Sequence, residues 1–119
     1  GDIKDLTERG ELGFFFGQPT WKKEDFLWKG EGEVKDVIRR LEEVAKLLGE
    51  LDENSFTKES VKNAIWPYAD REGRGMVLWP TRYALSGLPK SPDPFTIAEV
   101  IGKEETLARL NAAINFLNV

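Results

Sequence analysis

An apolar side chain recurs every three or four positions between residues 33 and 51, and this spacing constrains the fold more than any other feature. Its members are Val34, Val37, Ile38, Leu41, Val44, Ala45, Leu48 and Leu51. The spacing places them all on one face of an α-helix. Most of the other positions carry charged side chains, which is typical of a solvated face with some ion pairs between successive turns. The sequence therefore predicts an amphipathic helix over residues 33–51.

A second helix is predicted over residues 58–70. Thr57 is a good N-cap residue, and Phe56 stands where a hydrophobic staple residue would pack against Val61. Pro67 lies inside this stretch and has no amide hydrogen to donate. We therefore expect Pro67 to kink or shorten the helix.

The following stretch is expected to turn at residues 71–75 and to form a third helix over residues 76–86. Pro80 falls within that helix. A proline is favoured in the first turn of a helix, where an unpaired amide would otherwise be left. We therefore expect Pro80 to lie in the first turn or at a junction.

The C-terminal part of the chain predicts two more helices separated by Gly102. Ser91 or Asp93 is expected to cap a helix over residues 94–101, with Pro94 in the favoured first position. Gly102 is expected to end it. A last helix over residues 104–117 would bury one apolar face, made of Leu107, Leu110, Ala113, Ile114 and Leu117.

No long alternation of apolar and polar residues occurs, so strands are not expected. Shorter helices are predicted over residues 2–8 and 11–16, before an aromatic-rich loop. The prediction is an all-α fold of six to eight helices in two small subdomains, residues 1–53 and 54–119, with a hinge near residues 52–57.

The composition excludes several kinds of site. The 119 residues include no cysteine and no histidine, so disulfides, thiolate zinc sites and a histidine base are impossible. Neighbouring carboxylates such as Glu42 and Glu43 point about 100° apart on a helix. No catalytic, cofactor or metal site is recognised, and none is expected.

The charge and hydropathy limit the partners. The net charge is −4, which argues mildly against a freestanding nucleic-acid binder. It does not exclude a local basic face, since Arg71, Arg74, Arg82 and Lys90 cluster late in the chain. DNA is not an expected partner. No apolar run approaches the roughly 20 residues that span a bilayer, and nothing resembles a signal peptide. The expectation is a cytoplasmic protein with no membrane partner.

Two features are candidates for binding. The aromatic residues Phe14, Phe15, Phe16, Trp21, Phe26 and Trp28 are dense. Core packing is the better interpretation of most of them, although one or two could stack on unpaired bases. Arg82 lies near the start of the proline-rich stretch Pro80–Gly102, within the helix predicted over residues 76–86. Residue types alone favour a surface arginine paired with a carboxylate over one that faces bases or phosphate.

The last forty residues favour the interpretation in which Arg82 faces bases or phosphate. The stretch "WPTRYALSGLPKSPDPFTIAEVIGKEETLARLNAAINFL" resembles the C-terminal end of bacterial-type glutamyl-tRNA synthetases. The corresponding positions are Pro80, Arg82, Ala84, Leu85, Ser86, Gly87, Ser91, Pro92, Ile101, Gly102, Lys103, Glu104, Arg109 and Leu110. The departures are mild: Thr81 and Ile101 stand for leucine, and Ser86 stands for threonine. Upstream, "IKDLTERGELGFFF" and "TKESVKNAIWPYADREGRG" are similar to the segments that precede it in the family.

The resemblance implies an all-helical anticodon-binding region, an α-helix cage of two subdomains. The family's enzymes join glutamate to its tRNA with ATP and Mg²⁺. Their nucleotide-binding signatures, His-Ile-Gly-His and Lys-Met-Ser-Lys-Ser, do not occur in this sequence. The resemblance therefore implies a recognition region without its own cofactor, which binds the anticodon stem-loop of tRNA(Glu) as part of a monomeric ligase.

The resemblance also implies which residues contact the anticodon. The family's arginine and Ser/Thr contacts correspond to Arg82 and Ser91. Pro92, Pro94 and Phe95 would shape the adjoining surface, and Pro94 stands where the family often has an aliphatic residue. The prolines would fix the angle between two helices, so that Arg82 and a helix N-terminus face the splayed anticodon.

Two other interpretations remain open at this point. The related helical cage of class I lysyl-tRNA synthetases is the nearer one. A helical protein–protein interaction module with no RNA role is the other. The sequence also leaves open whether the ligase charges glutamate tRNA alone or glutamine tRNA as well.

Overall fold

The computed structural model describes residues 19–28 and 32–118. Four α-helices occur there: α1 is Val34–Gly49, α2 is Lys58–Glu72, α3 is Arg74–Ser86 and α4 is Pro94–Leu117. Two short 3₁₀ turns occupy Lys23–Phe26 and Glu53–Ser55. These residues include no β-strand, so the all-α prediction is confirmed. The helices predicted over residues 2–8 and 11–16 lie outside the described residues.

Helix α1 follows the predicted apolar stripe closely. Val37, Leu41, Val44 and Leu48 are all buried, because their spacing brings them to one face. On another face, Glu72 of α2 accepts hydrogen bonds from Arg39 and Arg40. Those bonds hold the pKa of the Glu72 carboxyl below its ordinary value, and they tie α1 to the end of α2.

Helix α2 begins as predicted, but it runs through Pro67. The Thr57 hydroxyl accepts a hydrogen bond from the Ser60 amide, and the Ser60 hydroxyl accepts one from the Thr57 amide, which together form a capping box. Phe56 and Val61 are both buried. Pro67 does not shorten α2, which runs from Lys58 to Glu72 and so matches the predicted helix over residues 58–70, whereas a kink at Pro67 stays a prediction. A proline's φ is compatible with a helix, and only one backbone hydrogen bond is lost.

Helix α3 begins earlier than predicted, so Pro80 lies near its middle. The predicted turn over residues 71–75 reduces to a break at Gly73, whose φ of 122° is one that glycine adopts readily. The expectation that Pro80 would lie in the first turn or at a junction is therefore wrong. Pro80 is buried, and we infer that its packing offsets the missing hydrogen bond.

Helix α4 consists of two segments that meet at Gly102, as predicted. Pro94 occupies the first turn, and Gly102 has a φ of 88°, outside the helical range. The Thr106 hydroxyl donates a hydrogen bond to the Ala98 carbonyl across the break, at 3.5 Å. The apolar face predicted for the second segment is confirmed, with Leu110, Ala113, Ile114 and Leu117 buried and Leu107 packed against them.

The four helices share a hydrophobic core, in which α4 packs against both α1 and α3. The Lys103 ammonium donates a hydrogen bond to the Leu51 carbonyl, at 2.6 Å, just beyond the end of α1. This contact crosses the predicted subdomain boundary at residue 53. The division into residues 1–53 and 54–119 stays a prediction, since residues 1–18 lie outside the described part. No helix within residues 19–28 and 32–118 has the length and apolar character to cross a membrane.

Candidate nucleic-acid interface

The chain turns sharply between α3 and α4, and we call residues 87–93 the elbow. Gly87 has a left-handed φ of 69°, and its amide bonds to the Tyr83 carbonyl at 2.7 Å. A Cβ atom at Gly87 would lie 2.9 Å from the Pro19 Cβ, so both conformation and space require glycine. The Ser86 hydroxyl accepts a hydrogen bond from the Leu88 amide at 3.1 Å, which fixes the first residues of the elbow.

The buried Arg109 and the half-buried Trp21 donate hydrogen bonds to the last turn of α3. Arg109 of α4 donates a hydrogen bond from Nη1 to the Leu85 carbonyl and another from Nε to Glu105, both at 2.8 Å. The Trp21 indole donates to the carbonyls of Tyr83 and Ala84, at 3.1 and 3.2 Å. The last carbonyls of a helix have no intrahelical partner, and these bonds satisfy those of Ala84 and Leu85. The start of the elbow is therefore anchored to two other parts of the core.

Asp93 closes the other end of the elbow as the N-cap of α4. One carboxylate oxygen accepts from the Thr96 amide and the other from the Thr96 hydroxyl, both at 2.9 Å. Burial acts to raise the pKa of Asp93, but the Thr96 hydrogen bonds and the nearby Lys58 charge outweigh it, so the pKa lies below its ordinary value. The Asp93 carboxylate is therefore committed to the helix end.

Arg82 lies beside the elbow at the edge of a cavity. Its guanidinium carbon is 5.0 Å from the centre of the Trp79 ring, and its Nη2 donates to the Pro89 carbonyl at 3.3 Å. The cavity has a volume of about 260 Å³, and its lining consists of Trp28, Arg74, Gly75, Leu78, Trp79, Arg82, Asp93 and Pro94. The Arg82 side chain is thus held beside the elbow by the Trp79 ring and the Pro89 carbonyl.

Two tryptophans form an aromatic wall of this cavity. The Trp28 and Trp79 rings have centres 5.9 Å apart. Trp79 also lies parallel to the Tyr83 ring, at 6.2 Å, and its indole donates to the Asp25 carbonyl at 2.8 Å. A Cβ atom at Gly75 would lie 2.4 Å from the Trp28 Nε1, so glycine is what lets the Trp28 ring approach α3.

Comparison with known proteins identifies the family to which this chain belongs. A family model described as an anticodon binding domain matches residues 2–114. The chain belongs to the anticodon-binding domain family. The resemblance to the C-terminal region of bacterial-type glutamyl-tRNA synthetases is thereby confirmed.

Glutamate–tRNA ligases are among the relatives of this anticodon-binding domain. The enzyme of Flavobacterium johnsoniae is 34% identical over 119 residues, which cover 95% of this chain and 21% of the enzyme. That of Christiangramia forsetii is 36% identical over 118 residues, covering 97% and 22%. The crystal structure of a glutamate tRNA ligase from Elizabethkingia meningosepticum, in complex with its amino acid, superposes with a TM-score of 0.75 at 34% identity. It matches 97% of this chain and 22% of that one. The chain thus spans about a fifth of the length of these relatives.

The structure places the five predicted site residues of the anticodon-binding domain in different surroundings. Arg82 and Pro94 line the same cavity. Ser91 and Pro92 lie on the elbow, where the Ser91 hydroxyl donates to the Pro92 carbonyl at 2.9 Å and Pro92 is exposed. Phe95 is buried and packs edge-on against Trp66, with ring centres 6.3 Å apart. It supports the start of α4 from within the fold.

Sequence reasoning missed Trp79 as part of this site. Trp79 precedes Arg82 by three residues, and residues three apart lie on one face of a helix. That spacing was a signal for the Trp79–Arg82 contact. The core interpretation of the aromatics holds for Phe26, which is buried, while Trp28 lines the cavity. Phe14, Phe15 and Phe16 lie outside the described residues.

The charge of the anticodon-binding domain is uneven. Residues 62–90 carry five basic residues, Lys62, Arg71, Arg74, Arg82 and Lys90, against two acidic ones, Asp70 and Glu72. Glu72 is already paired with Arg39 and Arg40 of α1. Residues 62–90 are therefore locally basic in a chain whose net charge is −4, and their Arg74 and Arg82 line the cavity together with Asp93.

Proposed function

We propose that this chain is the anticodon-reading region of a glutamate–tRNA ligase, with the anticodon stem-loop of tRNA(Glu) as its partner. The observation that carries the proposal is the placement of Arg82. Its guanidinium lies over Trp79, is bonded to the elbow and borders a cavity with aromatic and basic walls. Membership of the anticodon-binding domain family and the glutamate–tRNA ligases among its relatives support this assignment.

Arg82 is suited to reading a base in an unpaired loop. Its planar guanidinium presents five N–H donors in a fixed fork. One of them, on Nη2, donates to the Pro89 carbonyl, and the others can bind a base. Because Trp79 and Pro89 already restrict the side chain, little further conformational freedom is lost on binding. Bases of a single-stranded loop can be splayed out and recognised on their edges and faces. We propose that one anticodon base enters the cavity beside Arg82.

The elbow supplies the second contact of the proposal. Ser91 lies on the elbow between Pro89, which bonds Arg82, and Asp93, which caps α4. Its hydroxyl can both donate and accept a hydrogen bond. We propose that it bonds a neighbouring anticodon base. Pro92 and Pro94 restrict the backbone on either side of Asp93. The anchoring of Gly87 and Asp93 at the two ends of the elbow keeps the Ser91 and Arg82 positions fixed relative to each other.

We place ligation itself outside this chain. ATP and Mg²⁺ are the cofactors expected of the intact ligase. Residues 19–28 and 32–118 offer no group of three or more acidic side chains that could hold a metal ion. We expect the intact ligase to bind both groups outside these residues. The expectations that this region holds no cofactor and that the intact enzyme is a cytoplasmic monomer stay predictions.

Binding of full-length ligase to tRNA tests the proposal. In a filter-binding assay, glutamate tRNA should bind more tightly than the same tRNA with a replaced anticodon. Glutamine tRNA, measured in parallel, distinguishes a ligase that charges glutamate tRNA alone from one that also accepts glutamine tRNA. Equal binding of the native and replaced anticodons would contradict anticodon reading and favour a module without that role.

A further inference from the structure

Trp66, on the outer side of α2, carries two cations. The Lys62 ammonium is 5.2 Å from the centre of the Trp66 ring, and the Arg74 guanidinium is 4.8 Å from it. Lys62 and Arg74 are exposed, while Trp66 is partly buried against Phe95. An indole attracts a cation near its ring face. The ring therefore brings two positive side chains together on the surface, and we call Lys62, Trp66 and Arg74 the basic ridge.

Three acidic side chains lie near the basic ridge, Asp70 beside Arg74 and Glu59 and Glu99 near Lys62. Asp70 accepts a hydrogen bond from the Arg74 Nε at 2.8 Å, and this pair is well exposed, so it contributes little to stability. The remaining N–H groups of Arg74 can bind another anion. Glu59 and Glu99 lie with Lys62 around a separate polar hollow at the start of α2. There, Glu99 accepts a hydrogen bond from the Lys58 amide at 3.0 Å.

The basic ridge is continuous with the proposed anticodon site. Arg74 contacts Trp66 on one side and lines the Arg82 cavity on the other. A polymer whose base enters that cavity would carry its backbone across this part of the surface. Consecutive phosphates provide the negative charge that the ridge complements.

We propose that the basic ridge binds the RNA backbone next to the anticodon, with Lys62 and Arg74 each contacting a phosphate. This inference rests on the proposed function and extends it to a surface that would bind RNA independently of the base sequence. Trp66 acts as a positioning residue. Its ring already has two cations over it and an edge contact with Phe95, so its role is to hold the cations and not to stack on a base.

The sharpest test is Lys62→Gln in the full-length ligase, because Lys62 is exposed and its loss should leave the fold intact. The variant should bind glutamate tRNA several-fold more weakly, by the same factor whether the anticodon is native or replaced. The slope of log affinity against log salt should fall by roughly 0.7–0.9, the value for one lost phosphate contact. Lys46→Gln, which removes an exposed lysine from α1, is the matched control and should change neither.

Asp70→Asn gives a test in the opposite direction. It removes the acidic partner of Arg74 without removing a cation, so tRNA binding should tighten, again independently of the anticodon. If Lys62→Gln and Asp70→Asn both leave affinity and salt slope unchanged, the basic ridge does not bind the backbone. The proposed function survives that result if the native anticodon is still preferred, and fails separately if it is not. Unchanged tRNA binding combined with lost binding to another protein would reassign the ridge to an acidic protein partner.

Discussion

Arg109, which is almost fully buried, donates a hydrogen bond from Nη1 to the carbonyl oxygen of Leu85 at 2.8 Å. Leu85 lies in the last turn of α3, two residues before the elbow. A helix C-terminus buried without partners for its carbonyls is unfavourable, and this arginine supplies such a partner from a different helix. The position of the elbow therefore depends on a side chain more than twenty residues away in the sequence.

Replacing Arg109 by methionine should test that dependence. The change keeps an unbranched side chain but leaves the Leu85 carbonyl without its buried donor, so the free energy of unfolding should fall by about 1–3 kcal/mol. Lys46→Met, on the exposed face of α1, should change it by less than about 0.5 kcal/mol. Urea unfolding measures both. Equal stabilities of the two variants would show that Arg109 does not anchor α3.

Leu110, next to Arg109, tests the packing of α4. It is fully buried in the core that α1, α3 and α4 share, so Leu110→Ala should cost about 2–5 kcal/mol of stability. Val100 lies on the same helix but is 57% exposed, and Val100→Ala should cost less than about 0.5 kcal/mol. A small loss at Leu110 would mean that the second segment of α4 is not docked as described.

The sequence predicted those parts of the fold that local rules govern. The stripe of α1, the Thr57 cap and the break at Gly102 each depend on residues a few positions apart, and each is present. Pro80 was misjudged because local rules place a proline at a helix end, whereas packing in the folded protein can offset its cost of about 3 kcal/mol in a helix interior. Pro80 is buried in α3, and burial depends on long-range contacts that no local pattern records.

The candidate site was only partly predictable for a related reason. Arg82, Ser91 and the elbow prolines could be found through resemblance. The contact of Trp28 with Trp79, and that of Arg109 with Leu85, join residues far apart in sequence, and no periodicity encodes such pairs. Buried Arg109 is also unlike a typical arginine, which stays at the surface unless it is paired.

Substitution of Gly75 tests the aromatic wall of the cavity, and substitution of Gly49 is its control. A Cβ atom at Gly75 would meet the Trp28 indole at 2.4 Å, whereas one at Gly49 would meet nothing within 4 Å. Gly75→Ala should therefore displace Trp28 and cost about 1–3 kcal/mol through overpacking. Gly49→Ala should be neutral or stabilise by up to about 1 kcal/mol, because it restricts the unfolded chain. Urea unfolding followed by tryptophan fluorescence measures the stability of both variants, and equal effects would contradict the close packing of Trp28 against α3.

Asp93 should give the stability a defined acid dependence. Its folded pKa lies below the ordinary 3.8, so the ionised carboxylate stabilises the fold above that value, and the contribution is lost as the pH falls through the folded pKa. Asp93→Ala should cost about 0.5–2 kcal/mol at neutral pH, as expected for a lost N-cap. Asp93→Asn keeps a capping oxygen and should show a smaller cost and a flatter profile below pH 3.8. A wild-type profile as flat as that of Asp93→Asn would contradict the role given to the charge.

Ser91 belongs to the same proposal as Arg82, but its contact should be weaker. A hydroxyl forms a neutral hydrogen bond, whose net contribution is about 0.5–1.5 kcal/mol. Ser91→Ala should therefore weaken tRNA binding by less than the loss of Arg82 does, and with the same dependence on the anticodon. A loss that is the same for every anticodon would show that the hydroxyl contacts the backbone or acts through the elbow.

The most direct test of base reading is the affinity of full-length Arg82→Ala ligase for glutamate tRNA with its native and a replaced anticodon, measured at several salt concentrations. Removing a bidentate base contact should weaken binding of the native anticodon by about 1–3 kcal/mol. The loss should be much smaller with the replaced anticodon, where that contact is already broken. Arg82→Lys, which keeps the charge but not the fork, should resemble Arg82→Ala. An equal loss with both anticodons, a rescue by lysine and a reduced salt slope would instead show that Arg82 holds a phosphate and reads no base.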